Sequence, residues 1–374
     1  MIKYASCLIA RGTDPYRNLA IEKHLMDTLP EDTVVLYLWQ NEHTIVVGRN
    51  QDPWNECRVT EFQQSGGRVA RRLSGGGAVY HDLGHLNFTF ILPKAQFNIP
   101  VQLSVVALAV SAFGVRVEQS GRNDLLADGR KFSGNAFYKS GRAAYHHGTL
   151  LIDCDMERMA RYLTVDQDKL QSNGVRSVPS RVVNLSALCQ GITSDELQAA
   201  LYEAFSRVYG CAPTLLDEQM LDPYSLSDIA AQFQDEAWVF PREEPYSFVV
   251  RERFPWGGVT VKLQTEGGVI RRARIYSDAM EAGLFHYIEG ALTGSPFLIS
   301  AIGGRVQQKL LFLSDPLLQQ MAGDVCALVC GRMREMDRSG GGAEMGTGTG
   351  TETETGTGTG TGTETVGGST PYNP

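Results

Sequence analysis

Apolar and polar positions along the chain follow two periods, one typical of strands and one typical of helices. Thr33–Trp39 and residues 44–48 are rich in β-branched and aromatic side chains, which predicts two strands paired across residues 40–43. Residues 258–264 and 269–276 alternate between apolar and polar side chains on either side of a glycine-rich turn. This alternation predicts a second β-hairpin late in the chain.

Helix signals lie between these strands. Asp14 followed by Pro15, and Asp52 followed by Pro53, each place a capping side chain before a residue that suits the first helical turn. Residues 101–113 are largely apolar, with alanine and leucine throughout, and predict a buried helix. Because strands and helices alternate with mostly short links, we expect an α+β fold built on a mixed sheet.

The composition changes twice along the chain, and each change predicts a domain boundary. Prolines and glutamates between residues 241 and 246 are typical of a linker. We therefore expect one domain over residues 1–245 and a small α+β domain over residues 246–338. Residues 339–374 consist mainly of glycine, threonine and glutamate repeats without core-forming side chains, so we expect a disordered tail.

Charge and cysteine usage restrict the classes of partner and compartment. The 374 residues carry a formal net charge of −8 at pH 7, which argues against a general nucleic-acid binder. No apolar run reaches the roughly 18 residues of a membrane-spanning helix, so we expect no membrane partner. The seven cysteines include no Cys-x-x-Cys pair, so their spacing indicates neither a disulfide framework nor a zinc site. With no secretory signal visible, we expect a cytoplasmic protein.

Three consecutive glycines mark a candidate binding loop. The glycines at residues 75–77 lie between two strand-like segments, where they have little packing value. They leave room for a ligand to approach backbone N–H groups, which can form an anion-binding nest. Arg71 and Arg72 stand just before the loop, where a guanidinium group can bind phosphate or carboxylate through two hydrogen bonds. A hairpin tip with nearby charges is the alternative interpretation.

Two further segments carry candidate chemistry. Lys131 precedes an apolar strand, where its compact positive charge can lie against a developing negative oxygen. Asn123 and Asp124 offer an amide and a carboxylate side by side, and Mg²⁺ binds such oxygens together with nucleotide phosphates. A simple turn is the alternative for this dipeptide, and a surface lysine is the alternative for Lys131.

Adjacent side chains on a strand point to opposite faces. This geometry argues against a shared site for either of two pairs of neighbouring residues. His81 and Asp82 are therefore not expected to form a catalytic dyad; we expect His81 to line a ligand pocket and Asp82 to hold the loop. For the same reason His146 and His147 are not expected to bind one zinc ion. We expect one of the two to face a nucleotide and the other to pack in the core.

Three blocks of sequence together resemble the lipoate–protein ligase A family. They are Arg-Arg-Leu-Ser-Gly-Gly-Gly-Ala-Val-Tyr-His-Asp-Leu-Gly at residues 71–84, Gly-Arg-Lys-Phe-Ser-Gly at residues 129–134 and Tyr-His-His-Gly-Thr-Leu-Leu at residues 145–151. The three blocks occur in the same order as in the family, which makes the resemblance specific. The resemblance extends over residues 18–334. One departure is visible, because the family usually has asparagine where this chain has His85.

The resemblance implies an α+β fold of the lipoyl/biotin protein ligase type with a small accessory domain. It implies an enzyme that uses ATP and Mg²⁺ to activate lipoate to lipoyl-AMP. Lipoyl then passes to a lysine of lipoyl domains of 2-oxoacid dehydrogenases and of glycine cleavage H protein. Lys131 is the implied catalytic residue, Asp124 the implied metal ligand, and Tyr37 and Tyr80 are candidate walls for the acyl chain. The residues implied to bind lipoate and ATP are Arg72, Ser74, Gly75, Gly76, Gly77, Ala78, Val79, Tyr80, His81, Asn123, Lys131 and His147.

Three alternatives stay open at this point. An acyltransferase of the same superfamily takes lipoyl or octanoyl from an adenylate or a carrier without ATP; the accessory domain and the complete glycine block favour the ligase. A biotin ligase is less favoured because its Gly-Arg-rich loop is absent. A non-catalytic protein that binds lipoate or nucleotide is disfavoured by the presence of both Lys131 and Asp124.

Overall fold

The computed structural model describes residues 2–120, 124–164, 182–241, 245–310 and 313–340. The chain divides into two compact units, Met1–Arg332 and Met333–Pro374. The described part of the second unit is the end of a long helix, which continues to Gly340. The first two residues of the predicted tail are therefore helical, and the remainder of that tail lies outside the described residues.

The described strands form three sheets. In chain order the strands are β1 Tyr4–Ile9, β2 Thr33–Trp39, β3 Thr44–Val47, β4 Arg68–Arg71, β5 Val79–His81, β6 His85–Pro93, β7 Glu118–Ser120, β8 Asp124–Ala127, β9 Arg130–Ser140, β10 Ala143–Leu151, β11 Thr214–Leu215, β12 Phe248–Phe254, β13 Gly257–Glu266 and β14 Val269–Ser277.

The largest sheet has eight strands in the order β11-β1-β2-β6-β10-β9-β8-β7. Strand β1 runs parallel to β11 and β2, and the remaining pairs in this sheet are antiparallel. A second sheet has the order β4-β3-β5 and is also mixed. The α+β class with a large mixed sheet, expected from the sequence, is confirmed.

Helices cover the sheets and connect their strands. The α-helices are α1 Pro15–Asp27, α2 Pro53–Glu56, α3 Val59–Gln64, α4 Ile99–Ser111, α5 Met156–Tyr162, α6 Ser194–Tyr209, α7 Pro223–Gln234, α8 Glu236–Val239, α9 Leu284–Leu292, α10 Ile299–Leu310 and α11 Pro316–Gly340. Short 3-10 helices span Lys94–Gln96, Leu185–Ala187 and Glu218–Met220.

The helix starts follow the capping chemistry of the sequence. The Asp14 side chain accepts hydrogen bonds from the backbone N–H groups of Tyr16 and Arg17, and Pro15 occupies the first helical position. Asp52 caps α2 in the same way, although the predicted single helix up to Gln64 is broken into α2 and α3. The break occurs because Cys57 is extended and forms a bridge with Leu163.

The predicted pairing of β2 with β3 is wrong. Strand β2 is hydrogen-bonded to β1 and β6 in the large sheet, whereas β3 lies between β4 and β5 in the second sheet. His43 adopts a positive φ of 39° at the link, and there the chain passes from one sheet to the other. Both strands are buried along their whole length, so their side-chain pattern does not identify a partner.

The two faces of the large sheet pack differently. One face buries Leu36, Phe88 and Phe90 against α4 and α6 in a large apolar cluster. The opposite face buries Tyr37 and Tyr145 against α1 and α7. Beyond α1 this second face is polar, and there the glycine loop approaches it.

A small antiparallel sheet follows the two mixed sheets along the chain. Its order is β12-β13-β14, which contains the predicted hairpin and one strand, β12, that the sequence pattern did not predict. Helix α9 packs on β14, with Leu284, Phe285 and Ile288 buried. Among the described residues, no helix is both long and apolar enough to cross a bilayer. A cytoplasmic location stays a prediction.

Candidate active site

A cavity of about 250 Å³ lies between the polar face of the large sheet and the glycine loop. Its walls come from both of the mixed sheets, from α1 and from the segment after β14. The lining residues are Leu19, Trp39, Val46, Arg72, Gly76, Gly77, Ala78, Val79, His81, Asn87, Lys131, Gly134, Asn135, Ala136, His147, Gly148, Thr149 and Met280.

Arg72 holds the glycine loop in shape. Its Nη2 donates to the carbonyl oxygens of Gly75 and Gly77 at 2.7 and 2.8 Å, and its Nη1 donates to Val46 O at 3.0 Å. Its Nε donates to Ser74 Oγ at 3.0 Å. Burial lowers the pKa of Arg72 to about 10, so the guanidinium group remains cationic at neutral pH. Arg72 lines the cavity, yet most of its donors are committed to the loop.

Arg71 points away from the cavity and connects chain segments. Its guanidinium donates to the carbonyl oxygens of Gly48, Arg49 and Gln51 on one side, at 2.7 to 3.0 Å. On the other side it donates to the carbonyl oxygens of Trp238 and Val239, both at 2.8 Å. Arg71 therefore ties the β3 end to α8 and is not available to bind an anion.

A short segment after β14 closes over the glycine loop. The backbone N–H of Gly76 donates to Ala279 O at 3.0 Å. A Cβ atom on Gly75 would lie 2.3 Å from Ala279 O and 2.5 Å from Met280 O, so only glycine fits beneath this segment. Gly76 has a φ of 87°, a conformation that also favours glycine. Met280 completes the cavity wall from this side.

A chain of hydrogen bonds connects the loop to helix α1. Ser74 Oγ lies 2.8 Å from His147 Nε2, and His147 Nδ1 lies 2.8 Å from Glu22 Oε1. Arg72 is always a donor and a carboxylate is always an acceptor, so the direction from Arg72 through Ser74 and His147 to Glu22 is consistent at every step. Thr89 also donates to Glu22, at 2.8 Å. This buried chain fixes both the loop and the His147 ring.

Lys131 and Asp124 form an ion pair at the rim of the cavity. Lys131 Nζ lies 2.8 Å from Asp124 Oδ1, and both side chains are about one-third exposed. A Cβ atom on Gly134 would lie 2.9 Å from Lys131 Nζ, so this glycine leaves the space that the lysine side chain occupies. The pair can present a cation to an anionic ligand while the carboxylate remains within reach of a metal ion.

Two further histidines differ in their surroundings. His81 lines the cavity, accepts a hydrogen bond from the Asn41 amide at 3.1 Å, and has a buried Nε2 without a protein partner among the described residues. Burial lowers the pKa of His81, so the ring is neutral and Nε2 is an unpaired donor. His146 lies on the opposite face, between Gln102 and Asn135, and burial lowers its pKa to about 3.

The structure brings most of the predicted site residues to one cavity. Arg72, Gly76, Gly77, Ala78, Val79, His81, Lys131 and His147 line it. Ser74, Gly75 and Asp124 lie directly behind or beside these residues. Asn123 lies outside the described residues.

The two candidate tyrosine walls lie elsewhere. Tyr80 lies between Val79 and His81 on β5, so its side chain points to the face opposite the cavity. There its ring packs against Phe62 in a separate apolar cluster. Tyr37 is fully buried and its hydroxyl donates to Asn18 at 3.2 Å. Apolar wall positions are instead supplied by Leu19, Trp39 and others among the lining residues.

Sequence reasoning missed several residues at this site, among them Glu22 and Met280. Glu22 is 2% exposed. It lies among the apolar positions of α1, and a carboxylate there could have indicated a buried hydrogen-bond partner, because buried carboxylates are almost always paired. Met280 follows a strand of the accessory sheet, and nothing in its neighbourhood of the sequence indicated that it reaches the cavity.

Comparison with known proteins adds independent findings. The model of the lipoyl protein ligase A/B catalytic domain matches residues 14–206, slightly more than half of the chain. The model of the bacterial lipoate protein ligase C-terminus matches residues 243–309. The second match begins close to the predicted linker and covers the β12-β13-β14 sheet.

Three solved structures with this fold are a lipoate complex, a ligase described with its lipoyl domain and an ATP complex. LipL1 of P. falciparum, in complex with lipoate, is 24% identical with a TM-score of 0.76, covering 86% of this chain and 99% of that one. A bipartite lipoate protein ligase of Thermoplasma acidophilum, described with its E2 lipoyl domain, is 22% identical with a TM-score of 0.55, covering 64% and 98%. A lipoate-protein ligase A bound with ATP is 21% identical with a TM-score of 0.53, covering 64% and 98%. These likenesses establish the fold.

Proposed function

Because the chain belongs to the lipoyl protein ligase A/B catalytic-domain family, we propose that it is an ATP-dependent lipoate–protein ligase. In the proposed reaction the lipoate carboxylate attacks the α-phosphate of ATP, giving lipoyl-AMP and pyrophosphate. The ε-amine of an acceptor lysine then attacks the mixed anhydride, forming an amide and releasing AMP. Activation is needed because a carboxylate is a poor acyl donor until AMP becomes its leaving group.

The observation that carries this proposal is the Lys131 ammonium beside the glycine loop. Lys131 lines the same cavity as Gly76 and Gly77, and its side chain is held by Asp124 at 2.8 Å. A preorganised cation at this position stabilises the negative charge that develops between carboxylate and phosphate, an effect that typically amounts to about 3–4 kcal/mol. The role of Lys131 as the catalytic residue is therefore the core of the proposal.

The remaining cavity residues suit an amphipathic substrate. Leu19, Trp39 and Val46 provide apolar surface for an acyl chain, while His81 carries an unpaired donor for its polar end. The hydrogen-bond chain from Arg72 to Glu22 keeps the loop in place as the ligands bind. The cover that the segment at Ala279–Met280 places over the glycine loop also limits the access of water to the mixed anhydride.

Asp124 is the residue of the proposed site that would bind Mg²⁺. The Asp124 carboxylate offers the hard oxygen ligands that Mg²⁺ prefers, and phosphate oxygens usually complete such a site. Asp124 faces Lys131, so metal and ammonium would share the negative charge of the nucleotide. The metal would neutralise phosphate charge; holding and orienting the lipoate carboxylate remains the work of the protein side chains.

We propose lipoyl domains as the acceptors. The T. acidophilum structure is described as a ligase and its E2 lipoyl domain, which supports an acceptor of this kind. Glycine cleavage H protein is proposed as a second acceptor on the sequence resemblance alone. For an acceptor lysine to reach the anhydride, the segment at Ala279–Met280 must leave the glycine loop, and we propose that the accessory domain moves for this purpose.

One assay tests the proposed function against its alternatives. A ligase catalyses lipoate-dependent exchange of labelled pyrophosphate into ATP, whereas a transferase modifies a lipoyl domain from lipoyl-AMP without such exchange. A protein that only binds lipoate or nucleotide does neither. Absence of exchange, in protein that binds both substrates by calorimetry, would overturn the adenylation step.

A further inference from the structure

A tight turn packs directly on the end of strand β10, outside the cavity. The carbonyl oxygen of Gly84 accepts the backbone N–H groups of Ile152 and Asp153, each at 2.9 Å. A Cβ atom on residue 84 would lie 2.1 Å from Asp153 O, so a side chain there would force the two segments apart. The missing side chain of Gly84 therefore brings residues 82–85 against residues 152–154.

This close approach assembles three side chains with different ligand atoms. A carboxylate oxygen of Asp82, a ring nitrogen of His85 and the sulfur of Cys154 all lie within 4.8 Å of one another. His85 and Cys154 are 2% and 4% exposed, while the Asp82 side chain is 18% exposed. None of the three lines the cavity beside the glycine loop.

Surrounding groups hold these ligand atoms in position. Asp82 Oδ1 accepts the backbone N–H of Gly84, and Oδ2 accepts that of Asp155, both at 2.9 Å. The Asn184 side chain accepts from the Cys154 backbone N–H at 3.1 Å and donates to its carbonyl oxygen at 2.9 Å. Ligands oriented in this way before binding are typical of metal sites, where outer partners contribute strongly to affinity.

We propose that Asp82, His85 and Cys154 form a binding site for a divalent zinc-class cation. A set of one thiolate, one imidazole and one carboxylate suits Zn²⁺ and disfavours Mg²⁺ and Ca²⁺, which take oxygen ligands. Binding converts the Cys154 S–H into a metal–thiolate bond and releases one proton. A water molecule on the exposed side of Asp82 completes a four-coordinate site.

The site has a structural role rather than a catalytic one. It crosslinks the turn after β5 to the end of β10, and the His85 ring lies 5.5 Å from that of His81, which lines the cavity. The cation thus stabilises the part of the fold that carries His81. Sequence spacing did not indicate this site because its ligands come from two segments that are about 70 residues apart.

Cobalt titration of the full-length, metal-stripped protein tests the proposal. Co²⁺ is the probe, since a thiolate–cobalt bond absorbs in the near ultraviolet and a tetrahedral site absorbs in the visible range. We expect one equivalent of Co²⁺ to produce both bands and Zn²⁺ to remove them. Zn²⁺ should also raise the Tm of the protein.

Three variants make the test specific. Cys154→Ser should abolish the thiolate band, and His85→Asn should weaken Zn²⁺ binding by at least about tenfold, the size of effect already seen when only an outer partner is lost. Cys57→Ser is the matched control, because Cys57 is equally buried and its thiol donates to Pro53 O. Its spectrum should equal that of the wild type.

Either of two results would overturn the proposal. One is a wild type that binds no stoichiometric Co²⁺ or Zn²⁺; the other is a thiolate band that persists in Cys154→Ser. If Cys154→Ser does not fold, His85→Asn decides alone, and unchanged Zn²⁺ affinity in that variant overturns the site. No ligase assay is involved, so these results are independent of the proposed function.

Discussion

The two faces of strand β10 differ in their surroundings: one faces the cavity and the other packs in the apolar core. His147 faces the cavity and is connected to Ser74 and Glu22, and through Ser74 to the cationic Arg72. His146, the preceding residue, faces the opposite apolar cluster and is held by neutral amides, Gln102 and Asn135. Both rings are buried, so burial alone does not distinguish them.

Substitutions on the two faces should have different effects. On the cavity face, a substitution disturbs polar and charged groups that line the cavity or support its walls. On the helix-covered face, the same substitution disturbs packing and two amide hydrogen bonds, and of the two amides Asn135 also lines the cavity. We therefore expect cavity-face variants to lose rate at nearly constant stability, and helix-face variants to lose stability at nearly constant rate.

Lys131→Ala should give the largest effect on the cavity face. Removal of one preorganised charge at developing negative oxygens typically slows a reaction by about 10²–10³-fold. Single-turnover formation of lipoyl-AMP measures this rate. Lys139→Ala is the matched control, because Lys139 lies on the same strand, contacts Phe97 and Phe137 and does not line the cavity. A loss of less than about fivefold in Lys131→Ala would contradict the catalytic role.

Gly76→Val should prevent binding of lipoate and ATP by filling the cavity beside Arg72 and Met280. The φ of 87° also imposes backbone strain of about 1–3 kcal/mol on any β-branched residue. Gly191→Val separates the two effects, because its φ is 83° but nothing lies within 4 Å of its Cβ position. Calorimetric titration should show lost binding only in Gly76→Val; normal affinity there would make the glycine loop a simple turn.

The two adjacent histidines allow a direct comparison. His147→Gln should slow lipoyl-AMP formation by about tenfold, because Ser74 loses its acceptor and Glu22 its nitrogen donor. His146→Gln should leave the rate unchanged and lower the free energy of unfolding by about 1–3 kcal/mol, the usual result for a disturbed buried hydrogen bond. Urea unfolding and single-turnover rates, measured on both variants, check the two expectations. Equal rate losses would remove the distinction between the faces.

The pH dependence of stability sharpens the same comparison. The folded protein holds His146 neutral with a pKa of about 3, whereas the unfolded chain binds a proton near pH 6.5. Because only the unfolded chain binds this proton, the free energy of unfolding has its full value above about pH 6.5. It decreases as the pH falls from 6.5 towards 3. His146→Gln should therefore show a shallower loss of unfolding free energy between pH 6.5 and pH 4. A slope equal to that of the wild type would mean that His146 is not the titrating group.

Truncation after Arg338 should have the smallest effect, namely none on Tm or on the ligation rate. The removed residues consist mainly of glycine, threonine and glutamate and lack an apolar pattern for packing. Differential scanning calorimetry and a ligation assay with a lipoyl domain check this expectation. A Tm shift of several degrees would show that the tail contributes contacts.

Local chemistry predicted the parts of the site that depend on one stretch of chain. The cap at Asp14 and the glycine loop followed from residue types and spacing. The opposite directions of His146 and His147 followed from strand geometry. These features need no knowledge of distant segments.

The remaining features depend on distant partners and could not be read from local patterns. Strands β2 and β3 are buried throughout, so nothing in their side chains showed that they belong to different sheets. Glu22 gains its role only when α1 lies against β10, and Met280 reaches the cavity only through the docking of the accessory domain. Such contacts are set by tertiary packing rather than by propensity.

The hydrogen bond from Gly76 to Ala279 makes the accessory domain a competitor for the glycine loop. A backbone N–H has a single hydrogen, so a ligand atom that accepts it competes with the docked carbonyl. By thermodynamic reciprocity, docking lowers the affinity for such a ligand by the same factor by which the bound ligand weakens docking. If the proposed ligand accepts this N–H, residues of the accessory domain that never contact the ligand can tune its affinity.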